Sequence, residues 1–153
     1  MSNIINSFNN FLFNRTPMLK SSKLYVTYCS RTKSNLEKGK PQQLYQCQRI
    51  KSFFSRAPPG KRAILSYRYG IVPESRIIPN YDQETFTDID KAAKRVRKVV
   101  GNKEVIFYSP RELTETPWIR LLEKSGVNYR VVRSSHDFSK VSRKNKNLDQ
   151  FLR

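Results

Sequence analysis

Short apolar runs alternate along the chain with longer segments whose apolar side chains recur every three or four positions. The first run, Leu24-Tyr25-Val26-Thr27-Tyr28, is mostly β-branched and aromatic and predicts a buried strand over 24–28. A loop rich in Ser, Lys and Asn follows to Pro41, and then Leu44, Cys47, Ile50 and Phe54 stand near helical spacing, predicting a helix over 42–54. Pro58-Pro59-Gly60 stops it. Ala63-Ile64-Leu65-Ser66 predicts a second strand, and 68–84, broken by Gly70, Pro73 and Pro79, reads as one long loop. Phe86, Ile89, Ala93, Val96 and Val100 form the clearest helical stripe, with Thr85 as N-cap, Asp88 three residues on in a capping-box position, and Gly101 as the stop. Strands over 104–108 and 129–132 flank a last helix with Thr116 as N-cap, Pro117 at its first position and Gly126 at its end.

Strands that alternate with helices imply βαβ units, hence an α/β fold with a mostly parallel, four-stranded sheet covered on both faces as a three-layer sandwich. The domain is expected over 23–138. Residues 1–22 form an extension in which Ile4, Ile5, Phe8, Phe11, Leu12 and Phe13 share one helical face, and 139–153 form a basic tail. Acid-poor amphipathic N-termini occur in organellar transit peptides, but Arg15 is the only basic residue before Lys20, which favours a flexible or helical add-on.

Composition changes the picture chiefly through charge. Thirty Lys and Arg stand against twelve Asp and Glu, a formal net charge of +18 on 153 residues. Self-repulsion at that charge opposes compaction, and an anionic partner offsets it. Nucleic acid is the commonest such partner and a membrane surface the next, with a merely solubilising surface as the bland alternative. Two cysteines and one histidine cannot supply the four ligands of a structural zinc site from this chain alone, nor a disulfide framework, which argues against a zinc finger or zinc deaminase and for a reducing, cytoplasmic setting. No apolar run approaches the roughly 20 residues that span a bilayer. No metal or cofactor is expected.

In an open parallel sheet, ligands bind at the carboxyl ends of the strands. Three loops belong there: Cys29-Ser30-Arg31-Thr32-Lys33, Ser66-Tyr67-Arg68-Tyr69-Gly70 and Ser109-Pro110-Arg111-Glu112. Each offers hydroxyls and cations, a combination suited to phosphate or to a base edge. Ser30, Lys33, Ser66 and Arg111 are the expected polar contacts, and Tyr67, Tyr69 and Tyr81 the expected stacking rings. Asp82, Cys29 and Glu112 are the candidate catalytic groups: a carboxylate could activate water, and cations beside Cys29 would lower its pKa, against the commoner alternative for an isolated Cys of a buried, inert thiol. His136, in a polar segment, reads as a surface residue. Lys91, Lys94, Arg95 and Lys98 fall together on the outer side of the helix over 86–100, as a phosphate-contacting row or a plain solvated face. Glycine-rich phosphate loops, a GxSxG elbow and HExxH are all missing from the sequence.

Cys29-Ser30-x-Thr32-Lys33, Ile64-Leu65-Ser66-x-x-Tyr69-Gly70-Ile71-Val72-Pro73 and Pro79-x-Tyr81-Asp82 resemble a family of phage and archaeal domains. Gly70-Ile71-Val72-Pro73-Glu74 with Tyr81-Asp82, and Ser109-Pro110-Arg111-Glu112-Leu113, are similar to the core domain of archaeosine synthase. The resemblance covers about 23–133. It implies a uracil-DNA-glycosylase-like α/β sandwich and 7-deazaguanine modification of tRNA, by an enzyme or by an accessory subunit of a partner modification enzyme. The alternative from charge alone is a non-catalytic basic DNA- or RNA-binding protein, ribosome-associated or viral.

Overall fold

The structure, a computed structural model, describes residues 22–112, 115–139 and 141. The expected N-terminal extension and nearly all of the expected basic tail lie outside the described residues. Seven strands are described: β1 (Lys23–Tyr28), β2 (Lys38–Gly39), β3 (Arg62–Ser66), β4 (Gly70–Pro73), β5 (Ile78–Pro79), β6 (Glu104–Tyr108) and β7 (Tyr129–Val132). The helices are α1 (Pro41–Leu44), α2 (Gln48–Arg56), α3 (Ile89–Val100) and α4 (Thr116–Ser125).

The main sheet has five strands in the order β4-β3-β1-β6-β7, one more than the four expected. β3, β1, β6 and β7 are parallel, and β4 returns antiparallel to β3 at the edge. β4 lay hidden because Gly70 and Pro73 read as breakers. Gly70 instead closes a tight hairpin at φ 76°, and Pro73 ends an edge strand, where a missing N–H costs nothing. Gly70 has a second reason: a Cβ there would stand 2.9 Å from the Ala92 carbonyl oxygen, because α3 lies directly against β4. The two-stranded β2–β5 pair ties the loop after β1 to the chain after β4. Asn80 locks it by donating its side-chain amide to the Ser34 and Leu36 carbonyls.

The pleat assigns the faces. Tyr25 and Tyr28, three residues apart on β1, point to opposite sides. Tyr25 meets Phe138 edge-on at 5.3 Å, and Phe138 also meets Phe53 of α2. Tyr28 stacks on Trp118 of α4 at 5.7 Å, and α4 packs on α3. Helices therefore cover both faces, as the right-handed rule expects when one crossover runs from β1 to β3 and the next runs in the opposite direction, from the β3–β4 hairpin past β1 to β6. Between them lies an apolar core that includes Val26, Ile64, Leu65, Ile106, Phe107 and Leu121, each fully buried.

Three helices differ from expectation at their boundaries. The helix expected over 42–54 is split, because Gln46 N–H donates to the Thr32 carbonyl and Ser34 N–H to the Leu44 carbonyl. Residues 44–46 thus pair with the loop after β1 instead of continuing the helix. α3 starts at Ile89, not 86: Asp88, rather than Thr85, is the cap and accepts from Lys91 N–H at 3.1 Å. Phe86 is released to pack on Tyr67 and Trp118. α4 has Glu115 at the N-cap position, with Thr116 already helical. Among the described residues, no helix is long and apolar enough to cross a membrane.

Candidate functional site

Because the chain leaves β1 first toward β3 and then passes back to β6, the order of the parallel strands reverses at β1. Loops leaving the carboxyl ends of β1 and β6 diverge to opposite faces there, which opens a crevice. A cleft of about 740 Å³ occupies this position. Cys29 to Lys33 line it from β1, Tyr67 from β3, Tyr108, Pro110 and Arg111 from β6, and Gln48, Arg49 and Ser52 from the first turns of α2. That volume lies in the range of small-molecule and nucleotide sites.

Of the residues expected at a site, Cys29, Ser30, Lys33, Tyr67, Asp82 and Arg111 do meet in this cleft. Ser66 does not: it is fully buried and its Oγ accepts the N–H groups of Arg68 and Tyr69, both at 3.2 Å, as the anchor of the β3–β4 turn. With both lone pairs occupied, its one proton goes to the Tyr81 hydroxyl at 2.9 Å. Tyr81 bonds the Tyr45 hydroxyl at 2.5 Å and lies under the Lys33 ammonium, 4.4 Å from the ring centre. Tyr69 packs edge-on against Tyr81, outside the cleft lining. Glu112 is exposed and pairs with Arg133 at 3.7 Å, away from the cleft. Arg133 also holds Glu115, whose carboxyl is pushed below the usual range by that bond. Lys91, Lys94, Arg95 and Lys98 are exposed on α3, and none lines the cleft. His136 is exposed, as expected.

The residue that sequence reasoning missed is Arg49. Its guanidinium donates to Thr27 Oγ1 at 2.9 Å, to the Tyr28 carbonyl at 2.6 Å and to the Cys29 carbonyl at 3.1 Å. It also lies over the Tyr28 ring, 3.6 Å from the centroid. Thr27 passes the connection on by donating to the Tyr108 carbonyl at 2.8 Å. Arg49 therefore fastens α2 to the ends of both β1 and β6 and forms the floor of the cleft. In the sequence Arg49 sits among other basic residues, and only the register between α2 and β1 singles it out.

The walls combine rings with charge. Trp118 is backed by Tyr67 at 4.3 Å, Phe86 at 5.4 Å and Tyr28. Arg31, Lys33, Arg49 and Arg111 line the cleft together with Asp82 and Glu84. Arg31 and Glu84 bridge at 2.7 Å, with side chains 83% and 51% exposed. A pair so exposed contributes little, about 0–1 kcal/mol, which leaves Arg31 able to exchange Glu84 for a phosphate.

Cys29 is buried at the floor, and burial pushes its thiol up. The Tyr67 backbone N–H, the Tyr81 hydroxyl, Lys33 and Arg49 oppose that shift without reversing it. The expectation that cations would activate Cys29 is thus overturned by desolvation: the thiol is neutral at physiological pH. Burial likewise pushes up the hydroxyls of Tyr45 and Tyr81. Groups whose folded pKa lies above the unfolded value stabilise the fold fully below the unfolded value and lose that contribution as pH rises. The thermal midpoint is expected to fall once pH passes about 9, where a free thiol ionises, and more steeply past about 10, where free tyrosine does. Melting curves from pH 7 to 11 check this, and Cys29→Ser should remove the first step while keeping the second.

Compared with known protein families, with curated proteins and with solved structures, the chain finds no match. Among the described residues, no group of three or more His, Cys, Asp or Glu could hold a metal ion.

Proposed function

We propose that this domain binds nucleic acid and holds one unpaired base in the cleft at the ends of β1, β3 and β6, in the service of base modification. The observation that carries this reading is the convergence of four cations and an aromatic wall on a single crevice of nucleotide size. Cations hold phosphate at the rim, and the half-buried Tyr67, braced by Trp118, offers a face on which a base stacks. The resemblance of Gly70–Glu74 with Tyr81-Asp82, and of Ser109–Leu113, to the core domain of archaeosine synthase supports tRNA as the nucleic acid and 7-deazaguanine chemistry as the modification.

Whether the domain performs the chemistry or presents the base to a partner enzyme turns on Asp82. Both cleft carboxylates, Asp82 and Glu84, are exposed, and Cys29 is neutral, which favours presentation by an accessory subunit. Mass spectrometry of tRNA nucleosides from cells lacking the protein tests the whole reading. Loss of one modified nucleoside is the expected result, and an unchanged profile contradicts it. In cells carrying Asp82→Asn, catalysis by this chain predicts the same loss with RNA binding retained; full modification assigns the chemistry to a partner.

A further inference from the structure

The row of cations on α3 does not stand alone. The Arg95 guanidinium donates to the Arg68 carbonyl at 3.4 Å, joining the helix to the turn between β3 and β4. Beyond Arg95, the Arg68 guanidinium lies 5.7 Å from the Tyr69 ring centre, and Arg76 approaches the same ring at 6.0 Å. Arg68, Arg76, Lys91, Lys94, Arg95 and Lys98 are all exposed. Among the described residues, none of the six forms an ion pair with a carboxylate.

The acidic side chains that could have neutralised them are engaged elsewhere. Asp88 caps α3, Asp90 reaches Lys124 on α4 at 3.4 Å, and Glu74 is held by Arg62 at 2.6 Å. Arg97, the other cation of α3's last turn, leaves the row and donates to the Ser125 carbonyl at the end of α4. Two guanidinium groups sharing one tyrosine ring, continued by a lysine row, hold like charges together at a cost in free energy that an approaching anion relieves. From Lys91 to Lys98 the helix advances about 10 Å.

We propose that this band, from Arg76 across Tyr69 and Arg68 to the outer face of α3, is a phosphate-contacting track for the paired stem of a structured RNA. It rests on the reading that the protein binds nucleic acid, but not on what the cleft holds. Held by backbone contacts alone, the stem is bound without regard to sequence, and any selectivity is left to the cleft.

Three forms of the full chain test this: the natural protein, Arg68→Gln/Arg76→Gln, and Lys91→Gln/Lys94→Gln/Lys98→Gln. Each is titrated over a salt series with a fully paired RNA hairpin stem and with the same stem carrying one bulged guanosine. Each lost duplex contact should lower the slope of log affinity against log salt by roughly 0.9, giving about two units for the double variant and about three for the triple. Both RNAs should weaken by the same factor in each variant. A natural slope in variants that melt as the natural protein does overturns the track, whatever the bulge preference. Equal affinity of the natural protein for the two RNAs contradicts the cleft reading and leaves the track standing. Loss of binding to phosphatidylglycerol vesicles with an unchanged RNA slope assigns the band to a membrane surface and overturns the proposal.

Discussion

Arg49→Ala is expected to destabilise the domain by about 3 kcal/mol and to abolish binding of an unpaired base. The side chain serves the Thr27 hydroxyl and the carbonyls of Tyr28 and Cys29 at once, at the carboxyl end of the central strand. Removing it strips a half-buried site of charge-assisted donors, each worth about 1.5–3 kcal/mol, although water admitted to the cleft recovers part of the sum. It also bares the Tyr28 face on which the guanidinium lies. Arg49→Lys keeps the charge but not the fork, and one ammonium on a flexible stem cannot reach three acceptors in fixed directions. Arg49→Lys is therefore expected to recover less than half of the lost stability. Urea denaturation at equal slope gives both values, and a loss under 1 kcal/mol for Arg49→Ala would remove Arg49 from its place as the floor of the site.

Trp118→Ala is expected to cost about 4 kcal/mol, in the range measured for burying a cavity in place of a large aromatic ring. Trp118 is only 2% exposed, and three rings rest on it from three different segments: Tyr28 from β1, Tyr67 from the β3–β4 turn and Phe86 from the approach to α3. The cavity would lie behind the cleft wall, so Tyr67 loses its backing and the stacking face its fixed position. Trp118→Phe keeps an apolar ring and should cost roughly half as much, with base binding weakened rather than lost. Thermal melts of the two variants together check the prediction. Equal, small losses in both would mean that the ring cluster is not what fixes the wall.

The parallel strands were legible because each is a short apolar run set off by turn residues; 104–108 and 129–132 coincide with β6 and β7. β4 was not legible. Gly-Ile-Val-Pro contains two breakers in four residues, and it becomes a strand only because β3 supplies a partner and α3 presses on Gly70. The break between α1 and α2 is tertiary in the same sense, since a distant loop takes the backbone groups of residues 44–46. At the site, position after a strand was enough to find Cys29, Ser30, Lys33, Tyr67 and Arg111. It could not show that Ser66 turns inward, that Glu112 pairs with Arg133, or that burial outweighs nearby cations at Cys29. Arg49's bonds to β1 and the approach of Arg76 to Tyr69 depend on contacts between segments, and no local pattern encodes them.

The central claim is that the cleft, rather than the basic outer face alone, receives a base. The most direct measurement is photo-crosslinking to an RNA hairpin whose single unpaired base is 6-thioguanosine, with the attached peptide mapped by mass spectrometry. Adducts within 28–33, at Tyr67, Tyr108 or Trp118, and lost in Arg49→Ala, are the result this account predicts. Adducts confined to Lys91–Lys98 of α3, or the same yield when the thiobase is paired, would contradict it.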